Sequence, residues 1–187
     1  MNETKKVWLI SDTHFLHKNI IKYCNRPENH DDVMIKNWND TVNETDLIIH
    51  LGDISAGLSK VMNGEGVLID IFKELKGTKV LIRGNHDHFE DDWYIKNLGF
   101  TSVTDYLSID GFFLCHYPLI TTKYSSDKEI QTIKFLKEEF KKSGCHTLIH
   151  GHSHQTIFDG KINVAVDLNN FSPVSFDDIY EKYSLIN

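Results

Sequence analysis

Short apolar runs recur along the chain, and each ends in a polar cluster. Lys6 to Ile10 leads into Ser11-Asp12-Thr13-His14, and Asp46 to Leu51 leads into Gly52-Asp53. Lys79 to Ile82 leads into Arg83-Gly84-Asn85-His86-Asp87. Phe112 to Cys115 leads into His116-Tyr117-Pro118, and His146 to Ile149 into His150-Gly151-His152-Ser153-His154. Runs this short and this rich in Val, Ile and Leu predict strands buried on both faces. A sixth, Ile162 to Asp167, precedes a polar tail with a short amphipathic end.

Helical spacing appears between the runs. Asp32 to Val42 carries Val33, Ile35 and Trp38, and Val67 to Leu75 carries Leu68, Ile71, Phe72 and Leu75 ahead of a stop at Gly77. Asp127 to Lys142 sets Ile130, Ile133, Leu136 and Phe140 on one stripe and ends at Ser143-Gly144. Strands alternating with helices predict an α/β layered fold, read as a single domain over residues 1–187. The segments Gly57 to Gly66 and Thr121 to Lys128 read as mobile loops. In open α/β sheets ligands bind beyond the carboxyl ends of the strands. Every polar cluster lies at such an end, so separate segments would deliver His, Asp and Asn to one edge.

Composition narrows the function. The net charge is −7, with only Arg26 and Arg83 as arginines, so no basic face is expected for the phosphates of a long nucleic acid. Three widely spaced cysteines argue against a disulfide framework and fit the reducing cytoplasm. Val7 to Ile10 is too short for a signal-peptide core, and no apolar run is long enough for a membrane span. The excess lies in histidine, at 11 residues, several beside Asp, Asn or Gly.

These histidines fall into ligand-like patterns. Asp12-Thr13-His14 and His152-Ser153-His154 place two donors two residues apart, on one face of extended chain. Gly52 permits close backbone approach before Asp53, Asn85 adds an amide oxygen, and His116 follows its strand alone. Two Asp, one Asn and four His are too many for one ion with an open position. They suit two divalent ions sharing a carboxylate. Nitrogen and oxygen donors without thiolate suit Mn²⁺, Fe, Zn²⁺ or Ni²⁺ rather than a cysteine-rich structural zinc, and Mn²⁺ is the ion expected first.

The ordered set Asp12-x-His14, Gly52-Asp53, Gly84-Asn85-His86-Asp87, His116 and Gly151-His152-x-His154 resembles the calcineurin-like metallophosphoesterases. Asp12, Asp53, Asn85, His116 and His152 are 41, 32, 31 and 36 residues apart, so the resemblance covers most of the chain. The opening Ser11 to Ile20 looks closest to small stand-alone phosphoesterases of bacteria and phages. The resemblance implies a four-layer α/β/β/α fold, a central β-sandwich flanked by helices, without a cap domain. It also implies that Asp12, His14 and His154 hold one ion and Asn85, His116 and His152 the other. Asp53 would bridge them, and His86 would serve as general acid.

The protein Ser/Thr phosphatases of that superfamily extend the second motif to Gly-Asp-x-x-Asp-Arg-Gly. Here Gly52-Asp53-Ile54-Ser55-Ala56-Gly57 lacks the second Asp and the Arg, which disfavours phosphoprotein substrates. The expected activity is hydrolysis of phosphodiester bonds in small or nucleotide-type substrates by water activated at the metal centre. A phosphomonoesterase and a non-catalytic scaffold are the alternatives.

His17, Arg26 and Lys123 are candidate substrate or phosphate contacts, and Asp87 is a candidate to orient His86. Arg83 reads as structural, Cys115 as a core thiol, and Trp38, Phe72 and Phe140 as core aromatics. His50 and His150 read as core, and His30, His88 and His146 as exposed. No membrane or long nucleic-acid partner is expected. The oligomeric state is left open, with a homodimer as the candidate.

Overall fold

The computed structural model describes residues 4–155, 158 and 160–183. Its strands are β1 (Val7–Ile10), β2 (Leu47–His50), β3 (Thr78–Ile82), β4 (Phe100–Thr104), β5 (Tyr106–Ile109), β6 (Phe112–Cys115), β7 (Thr147–His150), β8 (Lys161–Asn163) and β9 (Val174–Ser175). Its helices are α1 (Ile20–Cys24), α2 (His30–Thr41), α3 (Gly64–Glu74), α4 (Asp91–Leu98), α5 (Asp127–Ser143) and α6 (Phe176–Tyr183). One sheet has the order β4-β3-β2-β1-β9 and the other β5-β6-β7-β8. Strands β1 to β4 run parallel, as do β6 to β8, while β9 and β5 are antiparallel additions at an edge of each sheet.

Strand alternation builds the layers. Trp8, Ile10, Ile48 and Leu81 pack outward against Met34 and Trp38 of α2, Leu68 and Phe72 of α3, and Tyr94 and Leu98 of α4. Val7, Leu9, Ile49 and Ile82 point the other way and meet Phe112, Leu114, Ile149 and Val164 of the second sheet. Phe113, Cys115 and Leu148, on that sheet's far face, pack on Ile133 and Leu136 of α5. Each large side chain so buried contributes about 1.5–3 kcal/mol. The result is the expected order of helix, sheet, sheet and helix.

Several expectations shift by a turn or a face. Helix α3 starts at Gly64, inside the segment expected as loop. Ile130 is 41% exposed, so the buried stripe of α5 begins at Ile133. The sixth strand ends at Asn163 rather than Asp167. There the Asn163 side chain accepts from Ala165 N–H, and Val166 N–H donates to Ser11 O at 3.1 Å. The chain thus crosses to β1 through the Ser11–Ala165 bridge and enters a short 3₁₀ turn, Val166–Leu168. This crossing stitches the two sheets together beside the carboxyl ends of their strands.

Candidate metal centre

The loops after β1 and β2 are fastened backbone to backbone. Asp12 N–H donates to Gly52 O at 2.9 Å, His14 N–H to Asp53 O at 3.0 Å, and Phe15 N–H to Ile54 O at 2.9 Å. A side chain on Gly52 (φ +88°) would collide with the backbone of Gly84, so three loops meet there at van der Waals contact. A side chain on Gly151 would strike Ser11 and the Asp12 carboxylate. Asp12, His14, Asp53 and His152 all adopt left-handed backbone, with φ of 59°, 48°, 58° and 66°. Such a conformation costs non-glycine residues roughly 1–2 kcal/mol each and marks a constrained, functional turn.

The side chains of these loops converge on two groups. The ligand atoms of Asp12, His14 and His154 lie within 4.8 Å of one another, as do those of Asp53, His116 and His152. Asn85 Oδ1 joins the second group, 3.1 Å from His116 Nε2 and 2.9 Å from His152 Nδ1. Asp53 lies between the groups. Its Oδ2 is 3.5 Å from both His14 Nε2 and His116 Nε2, while its Oδ1 accepts the backbone N–H of His86 at 2.8 Å. Asp12 Oδ2 accepts the N–H of His152 at 2.8 Å, and its buried Oδ1 has no hydrogen-bond partner among the described residues. Neither nitrogen of buried His14 has one either. Buried polar atoms are almost always paired. These orphans, with two carboxylates, an amide oxygen and four imidazoles aimed inward, fit a pair of divalent ions. A third grouping, Cys24, His154 and Asp167, reuses His154, and its Asp167 is already paired with Arg26.

Crowding of charge sets the proton affinities. Burial, with the negative charges of Asp12 and Asp87, pushes the Asp53 carboxyl up to about 7. Burial and the neighbouring His116 push His152 down to about 3. Burial opposes the charge of Asp12, but His116, His154 and His14 around it hold its carboxyl below the ordinary range.

The other expected site residues fall in different places. The His86 ring is exposed, 5.3 Å from the His14 ring. Partial burial and the nearby His88 lower its pKa. His17 is half-buried, with its ring 5.5 Å from that of His14. Lys123 lies on the exposed segment after β6, its ammonium over the Tyr124 ring at 4.9 Å.

Arg26 is turned away from solvent. It is 3% exposed and donates to Asp12 O and Thr13 O at 2.7 Å each and to both oxygens of Asp167. Its guanidinium therefore clamps backbone rather than facing a phosphate. Asp87 does not orient His86. Its buried carboxylate accepts the N–H groups of Asp53 at 2.8 Å, Ile54 at 3.1 Å and Gly84 at 2.8 Å, locking the second loop to the third. His30, expected on the surface, is 3% exposed because its Nδ1 tucks against Pro27 O at 3.2 Å.

Two residues near the ligands were not anticipated. Asp167 meets His154 Nδ1 at 2.6 Å, and Glu129 of α5 lies 3.6 Å from His152 Nε2. Asp167 had one visible signal, a lone carboxylate closing an otherwise apolar run.

A helix–sheet–sheet–helix sandwich with two adjoining groups of metal-ligating side chains at its strand ends fits a class, the metal-dependent phosphoesterases. The chain belongs to the calcineurin-like phosphoesterase superfamily, whose domain matches residues 6–167. Members typically bind divalent metals, and membership points to metal-dependent hydrolysis of phosphoesters. An uncharacterized protein of Methanocaldococcus jannaschii is 34% identical over 92% of this chain and 88% of its own length. The gene 66 protein of Mycobacterium phage L5 is 28% identical over 96% of this chain and 95% of its own. The crystal structure of a protein of unknown function from Aquifex aeolicus superposes with a TM-score of 0.77. It is 28% identical and covers 96% of this chain and 100% of its own. Among the described residues, no helix is long and apolar enough to cross a membrane.

Proposed function

We propose that this protein is a dinuclear metal-dependent phosphodiesterase of small or nucleotide-type substrates, with water as nucleophile and His86 as general acid. One observation carries the reading: the Asp53 carboxylate, fixed through Oδ1 by His86 N–H, sets Oδ2 at 3.5 Å from an imidazole nitrogen of each ligand group. Asp12, His14 and His154 would hold one ion, Asn85, His116 and His152 the other, with Asp53 common to both. Bound divalent ions supply positive charge for phosphoryl oxygens and lower the pKa of a coordinated water. The donor set of imidazole, carboxylate and amide without thiolate suits Mn²⁺, Fe, Ni²⁺ or Zn²⁺, and Mn²⁺ is the ion proposed.

The chain's own groups do the rest. The same hydrogen bond that orients Asp53 ties His86 to the centre, so its exposed ring lies beside the position of a leaving group. An anionic phosphodiester there raises its proton affinity, and the imidazolium can then protonate the departing alkoxide. Beside His86 lies a cavity of about 230 Å³ lined by Ile54, Ala56, Leu58, Leu68, Phe89 and Tyr94. That is below the about 300–1,000 Å³ of pockets for drug-sized ligands. It suits one planar ring, such as a nucleobase on the leaving side, rather than a whole second nucleotide. The net charge of −7 favours small substrates over long nucleic acid. Three free cysteines accord with a reducing, cytoplasmic setting.

Turnover of mono- and diester substrates with added Mn²⁺ tests the reading. His86→Ala should keep metal binding yet lose about 10²–10⁴-fold in kcat, most severely on diesters with poor leaving groups. Full retained rate on those diesters would remove His86 as the acid. Faster hydrolysis of monoesters than of diesters would make the protein a phosphomonoesterase.

A further inference from the structure

We propose that the buried Arg26–Asp167 ion pair is a positioning device for one of the two ion positions, so that the Asp12–His14–His154 group binds its ion more tightly than the Asn85–His116–His152 group. The inference rests on the dinuclear reading above and concerns how unequally its halves are built.

The Asp167 carboxylate takes Arg26 Nε on Oδ1 at 2.8 Å and Arg26 Nη2 on Oδ2 at 2.7 Å. The same Oδ2 accepts His154 Nδ1–H at 2.6 Å. The Arg26 guanidinium also donates to the carbonyls of Asp12 and Thr13, at 2.7 Å each. The side chains of the pair are 0% and 4% exposed. Two effects reach the first group through this one contact. Asp167 holds the proton of His154 on Nδ1, which leaves the Nε2 lone pair facing the site, 3.8 Å from Asp12 Oδ1. Arg26 meanwhile pins the left-handed turn that carries Asp12 and His14. All three ligands of that group are thereby held by a pair whose members lie 141 residues apart.

Among the described residues, no buried ion pair stands behind the second group. His116 Nδ1 donates to the neutral carbonyl of Leu51 at 2.7 Å. His152 Nε2 is 3.6 Å from Glu129, beyond hydrogen-bond length, and both side chains are partly exposed, at 29% and 21%. Asn85 Oδ1 meets the ligands His116 and His152 themselves. A carboxylate behind a ligating histidine fixes its tautomer and raises its basicity, and losing such a partner typically costs about 10–100-fold in metal affinity.

Titration of chelator-treated protein with MnCl₂ by calorimetry reads the two positions separately. Wild-type protein should show two classes of site. Asp167→Asn should weaken the tighter class about 10–100-fold and leave the other unchanged. In an Asn85→Ala background, which removes a ligand of the second group, the ion that still binds should show that full loss. Should Asp167→Asn fail to fold around its unpaired arginine, Arg26→Met/Asp167→Leu removes both charges together and should show the same selective loss. Survival of the weaker class reports that each variant is folded. Equal affinities in the wild type, or variants that keep or lose both classes alike, would overturn the proposal. Absence of any Mn²⁺ binding to wild-type protein would overturn the dinuclear reading and this inference with it.

Discussion

The two sheets bring different chemistry to the shared edge, and they hold it differently. The five-stranded sheet supplies both carboxylates, the amide and two imidazoles through the ends of β1, β2 and β3: Asp12, His14, Asp53, Asn85 and His86. The four-stranded sheet supplies imidazoles alone, through the ends of β6 and β7: His116, His152 and His154. Loops of the first sheet are laced by backbone amide bonds and by the Asp87 carboxylate. Among the described residues, those after β6 and β7 share one backbone bond, Gly151 N–H to His116 O at 2.9 Å. The difference has a physical reason. Two anions converging in a buried site repel, so their loops must be rigid before any cation arrives. Imidazoles ligate a cation in their neutral form and so tolerate looser support.

The comparison is broken most severely at Asp53, the shared ligand of the proposed centre. Asp53→Asn, on the first sheet, should weaken both ions by more than the about 10–100-fold typical of outer partners and abolish turnover. His152→Ala, on the second, should weaken one class only. Metal content after gel filtration distinguishes the two outcomes, and equal loss in both variants would dissolve the contrast.

Stability gives the next test. Asp87→Ala leaves two buried N–H groups and the part-buried N–H of Gly84 without their acceptor, and one buried group costs about 1–3 kcal/mol. A loss of about 3–5 kcal/mol is expected in urea unfolding, allowing for water entering the gap. Glu129→Ala, the counterpart behind the second sheet's His152, should cost less than about 1 kcal/mol.

Acidification sharpens the same point. His50 ends β2 and His150 ends β7, and burial pushes both down to about 4 from 6.5. Gly52 N–H donates to His50 Nδ1 at 3.1 Å, and the opposite nitrogen meets Thr13 Oγ1 at 3.0 Å, which itself donates to Ile54 O. Only the neutral ring can make both contacts. The folded pKa is depressed, so between pH 6.5 and 4 the unfolded chain binds more protons. The stability from neutral His50 is complete above 6.5 and is lost as pH falls to 4, by about 3 kcal/mol. Urea unfolding of chelator-treated protein at several pH values should show that slope, and His50→Asn should reduce it, leaving the share of His150.

The strands before each ligand were readable because their apolar runs are buried on both faces, and the ligand types punctuate those runs. Helix α4 and strands β4 and β5 were not read. Thr101 and Ser102 of the edge strand β4 are exposed, so it carries only part of the apolar signal. Arg26 was readable as a charge near the site but not as a clamp. Its partners, Asp12, Thr13 and Asp167, come from two remote segments, and nothing in local spacing encodes their meeting. Asp87 looked like a partner for the adjacent His86, yet its carboxylate turns to the amides of Asp53, Ile54 and Gly84.

The amino-acid sequence by itself determined the class of chemistry, the layered α/β plan and the candidate ligands, because residue type and strand-end position are local properties. Only the tertiary structure decided which oxygen of Asp53 faces both groups, which carboxylate stands behind His154, and which charges are buried in pairs. Those outcomes depend on distances across the seam between two sheets, and such distances exist only once the chain has crossed from β8 back to β1.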